Sequence, residues 1–564
     1  MNKYKVLSLS LISLFTLISC GEPTTAQKFP SYYELPEKIS GFEGQTLTIY
    51  NCEDYISSTF DEEEGYIDLI SVFEYIYDVK VNYYTFDTVE TMYNQMTLQN
   101  EGFYDLVCPS EYMIQRLINE DLIEKIDQTK LDVYNKYGAK KIVNLLNNME
   151  CSSLDENGNK KKLGDYAAGY MWGTMGVVYD PEFVKHEDAT TWDVYWDKDY
   201  YKYASIKNSM RDTYVVGILH GYKEELLAYR NQLLNGKNEE ELTEEEYEQF
   251  LTDYGIKVQE VFDRHGEEDI KLVKDELSSL KNNIYGFEVD SGKNDIVEGK
   301  IKMNLAWSGD AIYSINEAYN NNKELYYSVP LEGSNIWYDA WCMPKKANKE
   351  LAYQFINFLS DPYYASTNMS YIGYSSFIAS EEVFDTVAPW YGAVEYYPED
   401  EYYAVYDENN EITDDSSIVH YQDNFYMCIQ DSQGNLPTNE EYFVLLDEED
   451  SPLSEGYDLS YYFQEALPED KSSLVYPYDE YFLNTLEAQY PSERIVKRCA
   501  IMNDFGEANN DVVIMWSQVR ASTNMVPYYV ILIIAVAMIP LFFVYKLYRK
   551  VNDKKLEKMI NNQK

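Results

Sequence analysis

Asn335–Trp341 reads NIWYDAW, and the way that stretch presents its side chains governs what can be built around it. As a strand it alternates them between two faces, so Trp337, Asp339 and Trp341 share one. A carboxylate then stands between two indoles. One reading is a half-buried strand whose Asp339 caps a turn or pairs with a lysine. The other is a site for an organic cation, which gains from aromatic faces and from a fixed negative charge together. Working outward, KIKMNLAWSGDAIYSI upstream predicts a strand running into a helix with Gly309 at the junction, and ELAYQFINFLSDP downstream predicts an amphipathic helix stopped by Pro362.

The same rhythm recurs earlier. TLTIYNC (Thr46–Cys52) has the alternation and β-branching of a strand, EEEGYIDLISVFEYIYDVKV the apolar spacing of a helix, and YDLVCPS a buried strand ending in a turn. Strand, helix, strand predicts an α/β fold with a parallel sheet. YMWGTMGVVYD (Tyr170–Asp180) predicts a strand pair around Gly173 and Gly176, and Lys223–Lys281 a set of charged, solvated helices. From about Glu381 to Glu493 tyrosines and acids alternate, and DENNE and DSQGN predict turns of β-hairpins in an inserted block. DENNEITDD and DENGN (Asp155–Asn159) lack the ligand pattern of a calcium loop and read as turns. After the block, CAIMNDFGEANNDVVIMWSQV resumes a helical pattern.

The 564 residues have room for two or three domains, and 45% hydrophobic with 16% aromatic content supports a large core. A net charge of -51 argues against nucleic acid as a partner and favours cationic ligands; the 58 tyrosines suit binding surfaces as well as cores. The four histidines and seven cysteines show no metal-ligand spacing, so neither a metal nor a cofactor is predicted, and disulfide pairing stays open. No nucleotide, zinc-protease or serine-hydrolase motif occurs in a supporting context, and no enzyme is predicted.

The two ends set the expected compartment. MNKYKVLSLSLISLFTLISC has a basic start and a short apolar run, and Ser19–Cys20 is similar to a bacterial lipobox, which would make Cys20 a lipidation site. Val526–Tyr545 is uncharged and has the ~20 residues that cross a bilayer. Lys546, Arg549, Lys550, Lys554, Lys555 and Lys558 follow it, so the C-terminus is expected in the cytoplasm and the body of the protein outside, held at the membrane.

The ordered motifs LTIYNCEDYI, YDLVCPSEYMI, YMWGTMGVVYD, NLAWSGDA, NIWYDAWCMPKKANKELAYQFINFLSDP and IGYSSF resemble those of bacterial spermidine/putrescine-binding proteins, the substrate-capturing subunits of polyamine ABC importers. The resemblance runs from about Leu47 to Phe377 and resumes near Cys499–Val519. It implies a two-lobed α/β periplasmic-binding-protein fold (type II) with hinge-linked lobes that close on ligand, carrying the β-hairpin-rich block and the C-terminal transmembrane helix as additions. The divisions expected are a lipoprotein signal peptide (1–20), a linker (21–44), lobe one (45–172 with 338–380), lobe two (173–337 with 494–522), the acidic tyrosine-rich insertion (381–493), the transmembrane helix (526–545) and a basic tail (546–564).

By resemblance, Tyr55, Tyr112, Trp307, Trp337 and Tyr374 form an aromatic box, Ser110 supplies a hydrogen bond, Asp339 meets an amine in mid-ligand, and Asp212 meets a terminal amine. Trp341 is assigned to the core. Departures from the family pattern are Cys52 in place of a tryptophan, with Glu53 beside it as a further ligand carboxylate, and Ser209 in place of a second acid. The partners implied are spermidine or putrescine, the permease subunits of an ABC transporter, and the membrane. The alternatives are a binding-protein-like surface sensor or interaction protein, and capture of a different organic cation.

Overall fold

The structure is a computed structural model that describes residues 29–62, 65–402, 404 and 417–521. The expectations for Cys20, the signal peptide, the segment 526–545 and the basic tail lie outside the described residues. Among the described residues, no helix is long and apolar enough to cross a membrane.

The main sheet has eight strands in line: β1 (Thr46–Cys52), β2 (Lys80–Phe86), β3 (Leu106–Val107), β4 (Ala167–Tyr179), β5 (Ala204–Lys207), β6 (Gly286–Glu288), β7 (Met303–Trp307) and β8 (Ser334–Cys342). Their spatial order is β2-β1-β3-β8-β4-β7-β5-β6, with three short strands attached at the sides. β2, β1 and β3 run parallel, as do β7, β5 and β6. Between these halves lies the antiparallel pair β8–β4, the long strands that cross from one half to the other. The NIWYDAW stretch is therefore a strand, as its alternation predicts, and it lies at the centre of the sheet.

Two local expectations are corrected. Tyr170–Asp180 is no strand pair: β4 is one strand of thirteen buried residues. Its glycines serve close packing instead. A Cβ on Gly173 would lie 2.8 Å from the Trp337 ring and 2.4 Å from Ser308 Oγ. Pro362 does not merely stop a helix. Lys349–Leu359 ends before it, and Pro362 then opens Pro362–Ile372, with the Asp361 carboxylate accepting the Tyr363 N–H. Cys499–Ala500, read as part of a helical run, pairs with the start of β8; the helix begins only at Asn509.

The segment read as a linker is partly packed, since Phe29 is buried against Tyr33, Phe60 and Tyr75. The block expected as an insertion (381–493) holds its own six-stranded sheet, and the hairpin Ile418–Tyr421/Asn424–Cys428 turns on Gln422 and Asp423, both at positive φ. It also contains helices, which hairpin reasoning does not predict. One of them, Glu480–Gln489, docks on the main body, where Asn484 Oδ1 accepts the Tyr327 N–H at 3.0 Å. DENNE falls outside the described residues, whereas DENGN is a turn in which Asp155 accepts the Asn157 and Asn159 N–H groups. The six cysteines among the described residues are free thiols.

Candidate functional site

The predicted residues converge where parallel strands end and helices begin, the usual place for a ligand in an α/β sheet. β3 leads into helix α1 (Glu111–Asn119), β5 into α2 (Met210–Gly221) and β7 into α3 (Ser308–Asn320). Ser110 stands at the N-cap of α1, yet its side chain caps nothing. A serine there ordinarily accepts a backbone N–H of the first turn. Instead its hydroxyl donates to Asp339 Oδ1 at 2.7 Å, and the Tyr55 hydroxyl donates to Asp339 Oδ2 at 2.7 Å.

Burial pushes the Asp339 carboxyl up to about 6, the two hydroxyl donors offset part of that rise, and the charge of Asp212 adds to it. Around this carboxylate Tyr374 sits edge-on to both Tyr55 (5.5 Å between ring centres) and Trp337 (5.2 Å). The Trp337 indole N–H is buried without a hydrogen-bond partner among the described residues. Trp341 belongs to the core, as expected: it is 1% exposed and packs on Tyr170 and Phe355. A bulge separates the two environments. Asp339 faces Met171 and Ala340 faces Gly169, which leaves Tyr170 as the extra residue of β4. The Tyr170 hydroxyl donates to the Tyr55 carbonyl and holds that turn in place.

The remaining predicted residues lie close by in two groups. Asp212, 6% exposed, is raised by burial, while the Ser209 hydroxyl, the Lys207 charge and the Trp307 indole N–H favour its ionised form. Ser209, where the resemblance leads one to expect an acid, caps α2 by accepting the Asp212 N–H. Tyr112 is covered by a cation of the protein itself: the Arg211 guanidinium lies 4.0 Å over its ring, and its hydroxyl donates to Glu90. Glu53 is exposed on the turn after β1, and none of the hydrogen bonds around Asp339 reaches it. Cys52 ends β1 near Asp339 and Asp310, and burial raises its thiol to about 12, so it is neutral.

Three residues of the site escaped sequence reasoning. Lys207 ends β5 and is 1% exposed; its ammonium lies 4.4 Å over the Trp307 ring and 2.9 Å from Asp310 Oδ2. Asp310 also accepts the Tyr374 hydroxyl at 3.3 Å. Glu111, fully buried, accepts the Tyr338 N–H and is raised by burial to about 8, so it is mostly protonated at neutral pH. The motif WSGDA carries Asp310, but nothing in the local pattern marks Lys207 or Glu111 as buried.

Gly309 permits the Tyr374–Asp310 contact, because a Cβ there would lie 2.5 Å from the Tyr374 ring. Gln115 likewise joins the two halves, donating to Asn503 and accepting the Asp504 N–H.

The motif resemblance has independent counterparts. The family model described as bacterial extracellular solute-binding protein matches residues 69–393, more than half of the chain. The spermidine/putrescine-binding periplasmic protein of Salmonella typhimurium is 25% identical over 337 residues, covering 59% of this chain and 77% of that protein. The putrescine-binding periplasmic protein PotF of Escherichia coli is 26% identical over 328 residues, covering 57% and 74%. A solved structure from Listeria monocytogenes, assigned to a spermidine/putrescine ABC transporter, superposes with a TM-score of 0.51 at 18% identity, over 84% of this chain and 99% of that one. That likeness bears on the fold.

Proposed function

Since this chain belongs to the bacterial extracellular solute-binding proteins, which bind their solute and are not enzymes, we propose that it captures a polyamine outside the cell and hands it to the permease of an ABC importer. The observation that carries the reading is Asp339: a largely buried carboxylate clasped by Tyr55 and Ser110, edged by Trp337 and Tyr374, with no side-chain cation paired to it among the described residues. A polyamine is a row of methylenes between ammonium groups. Ring faces pack the methylenes and attract the charges by about 0.5–2 kcal/mol per contact, and a buried ammonium needs a carboxylate partner. Asp212, within reach of the Trp307 N–H, takes a second ammonium.

The two lobes, 45–172 with 338–380 and 173–337 with 494–522, close over the ligand, and Tyr374–Asp310 and Gln115–Asn503 are latch contacts. Lipidated Cys20 and the segment 526–545 hold the protein to the membrane with its body outside. Two anchors of that kind keep the cleft at high effective concentration beside the permease.

Calorimetry on the purified protein with putrescine and spermidine tests the proposal. Saturable heat, together with a ligand-dependent rise in unfolding temperature, is the expected outcome. Absence of both in excess amine overturns it. For the tether, truncation before Met525 is expected to lower whole-cell uptake at scarce substrate, and unchanged uptake removes the role given to that segment.

A further inference from the structure

Lys207 is held as a bound amine would be held. Its ammonium is 2.9 Å from Asp310 Oδ2, 3.3 Å from Glu288 Oε1, 3.3 Å from the Val289 carbonyl oxygen and 4.4 Å above the Trp307 ring. The second Glu288 oxygen accepts the Gly292 N–H, and the second Asp310 oxygen accepts the Tyr374 hydroxyl. Both carboxylates are thereby committed. A buried lysine is retained only when its charge is matched in this way, and here the match uses one ring of the aromatic box.

The two carboxylates left over are Asp339 and Asp212. Among the described residues neither has an ammonium or guanidinium in ion-pair contact; the Asp212 charge bears on Asp339, and the Lys207 and Glu90 charges bear on Asp212. Tyr112, the other box ring outside the Asp339 cluster, is also occupied, by Arg211, which is 3% exposed and lies beside Glu90. Asp339 and Asp212 are thus carboxylates without an ion-pair partner, with Glu90 near Asp212, Lys207 over Trp307 and Arg211 over Tyr112.

Resting on the polyamine reading above, we propose that Lys207 stands in for one ligand ammonium, so that the cleft selects a short diammonium ligand over a longer triammonium one. A diamine places one ammonium at Asp339 and the other at Asp212, with its methylenes against Tyr55, Trp337 and Tyr374. The third ammonium of a triamine, extended past Asp212, meets the Lys207 ammonium over Trp307. There it finds the Trp307 ring and the Asp310 and Glu288 carboxylates already taken by Lys207, and a buried ammonium without a carboxylate of its own is strongly disfavoured.

The test is competitive calorimetry on the full chain in detergent, with putrescine and spermidine, for the natural protein and for Lys207→Met. The expected result is a preference of the natural protein for putrescine by about tenfold or more, and a rise in spermidine affinity of similar size in the variant, so that the ratio falls toward one. Spermidine binding to the natural protein as tightly as putrescine overturns this proposal and leaves the polyamine reading standing. So does a ratio unchanged by Lys207→Met. Binding of neither amine overturns both. Should Lys207→Met fail to fold, the ratio in the natural protein decides by itself.

Discussion

Replacing Asp339 by asparagine is expected to stabilise the empty protein while it destroys the site. The carboxyl, ordinarily at 3.8, is raised to about 6, first by burial and further by Asp212, against the opposing hydrogen bonds from Ser110 and Tyr55. A raised acid means that the folded protein holds this proton more tightly than the unfolded chain. Stability from this group is therefore complete below pH 3.8, declines as pH climbs toward 6, and stays at its lowest above that. A rise of that size corresponds to about 3 kcal/mol at neutral pH, at 1.36 kcal/mol per pKa unit. Asparagine keeps the shape of the neutral carboxyl. One of the two hydroxyls must turn to accept from the amide, which gives back about 1 kcal/mol. A net gain of about 2 kcal/mol remains. Urea denaturation of both proteins from pH 4 to 8, with and without putrescine, reads this directly. The variant is expected to unfold at higher urea near pH 8, the gap closing toward pH 4, and putrescine is expected to stabilise only the natural protein. A variant no more stable than the natural protein at pH 8, or a gap that ignores pH, refutes the reasoning.

Three further outcomes are expected from the same geometry. Amine affinity measured by calorimetry should be level near neutral pH and fall once pH drops below about 6, where the proton competes for Asp339; affinity that holds to pH 4.5 would place the ligand elsewhere. Gly309→Ala puts a methyl group 2.5 Å from the Tyr374 ring, so overpacking of about 1–3 kcal/mol should appear as weaker binding with unchanged circular dichroism. Lys471, with its side chain 5% exposed, holds Glu381, Asp385 and Asp400 together at the base of the inserted block. Lys471→Met leaves those acids facing one another and should cost about 2–3 kcal/mol, less than a fully buried pair because the acids are partly exposed; it is read by faster proteolysis of the block, and an unchanged rate would rule out that role.

How much of the molecule is legible in the sequence depends on the range of the interaction. Strand alternation in NIWYDAW, the strand-to-helix junction at Gly309 and the helix around Lys349–Leu359 are local properties, governed by the spacing of apolar side chains within one turn or one pleat. They are readable residue by residue. The turn at Asp155–Asn159 is readable for the same reason, since an aspartate satisfies its own nearby N–H groups. Glu53, two residues before Tyr55, lies exposed on the turn after β1, a placement that its neighbours in sequence do not signal.

The sequence by itself determined an acidic, aromatic α/β chain with Trp337 and Asp339 on one strand, because side-chain period and composition require no distant partner. Tertiary structure alone decided that Ser110 abandons its helix to serve Asp339, that Tyr170 bulges to separate Trp337 from Trp341, and that Lys207 is buried on Trp307. Those outcomes depend on residues from both halves of the sheet meeting within a few ångström. The free energy of a charge is set by the dielectric and the counter-charges around it, and for Lys207 those come from Asp310 and Glu288, far along the chain.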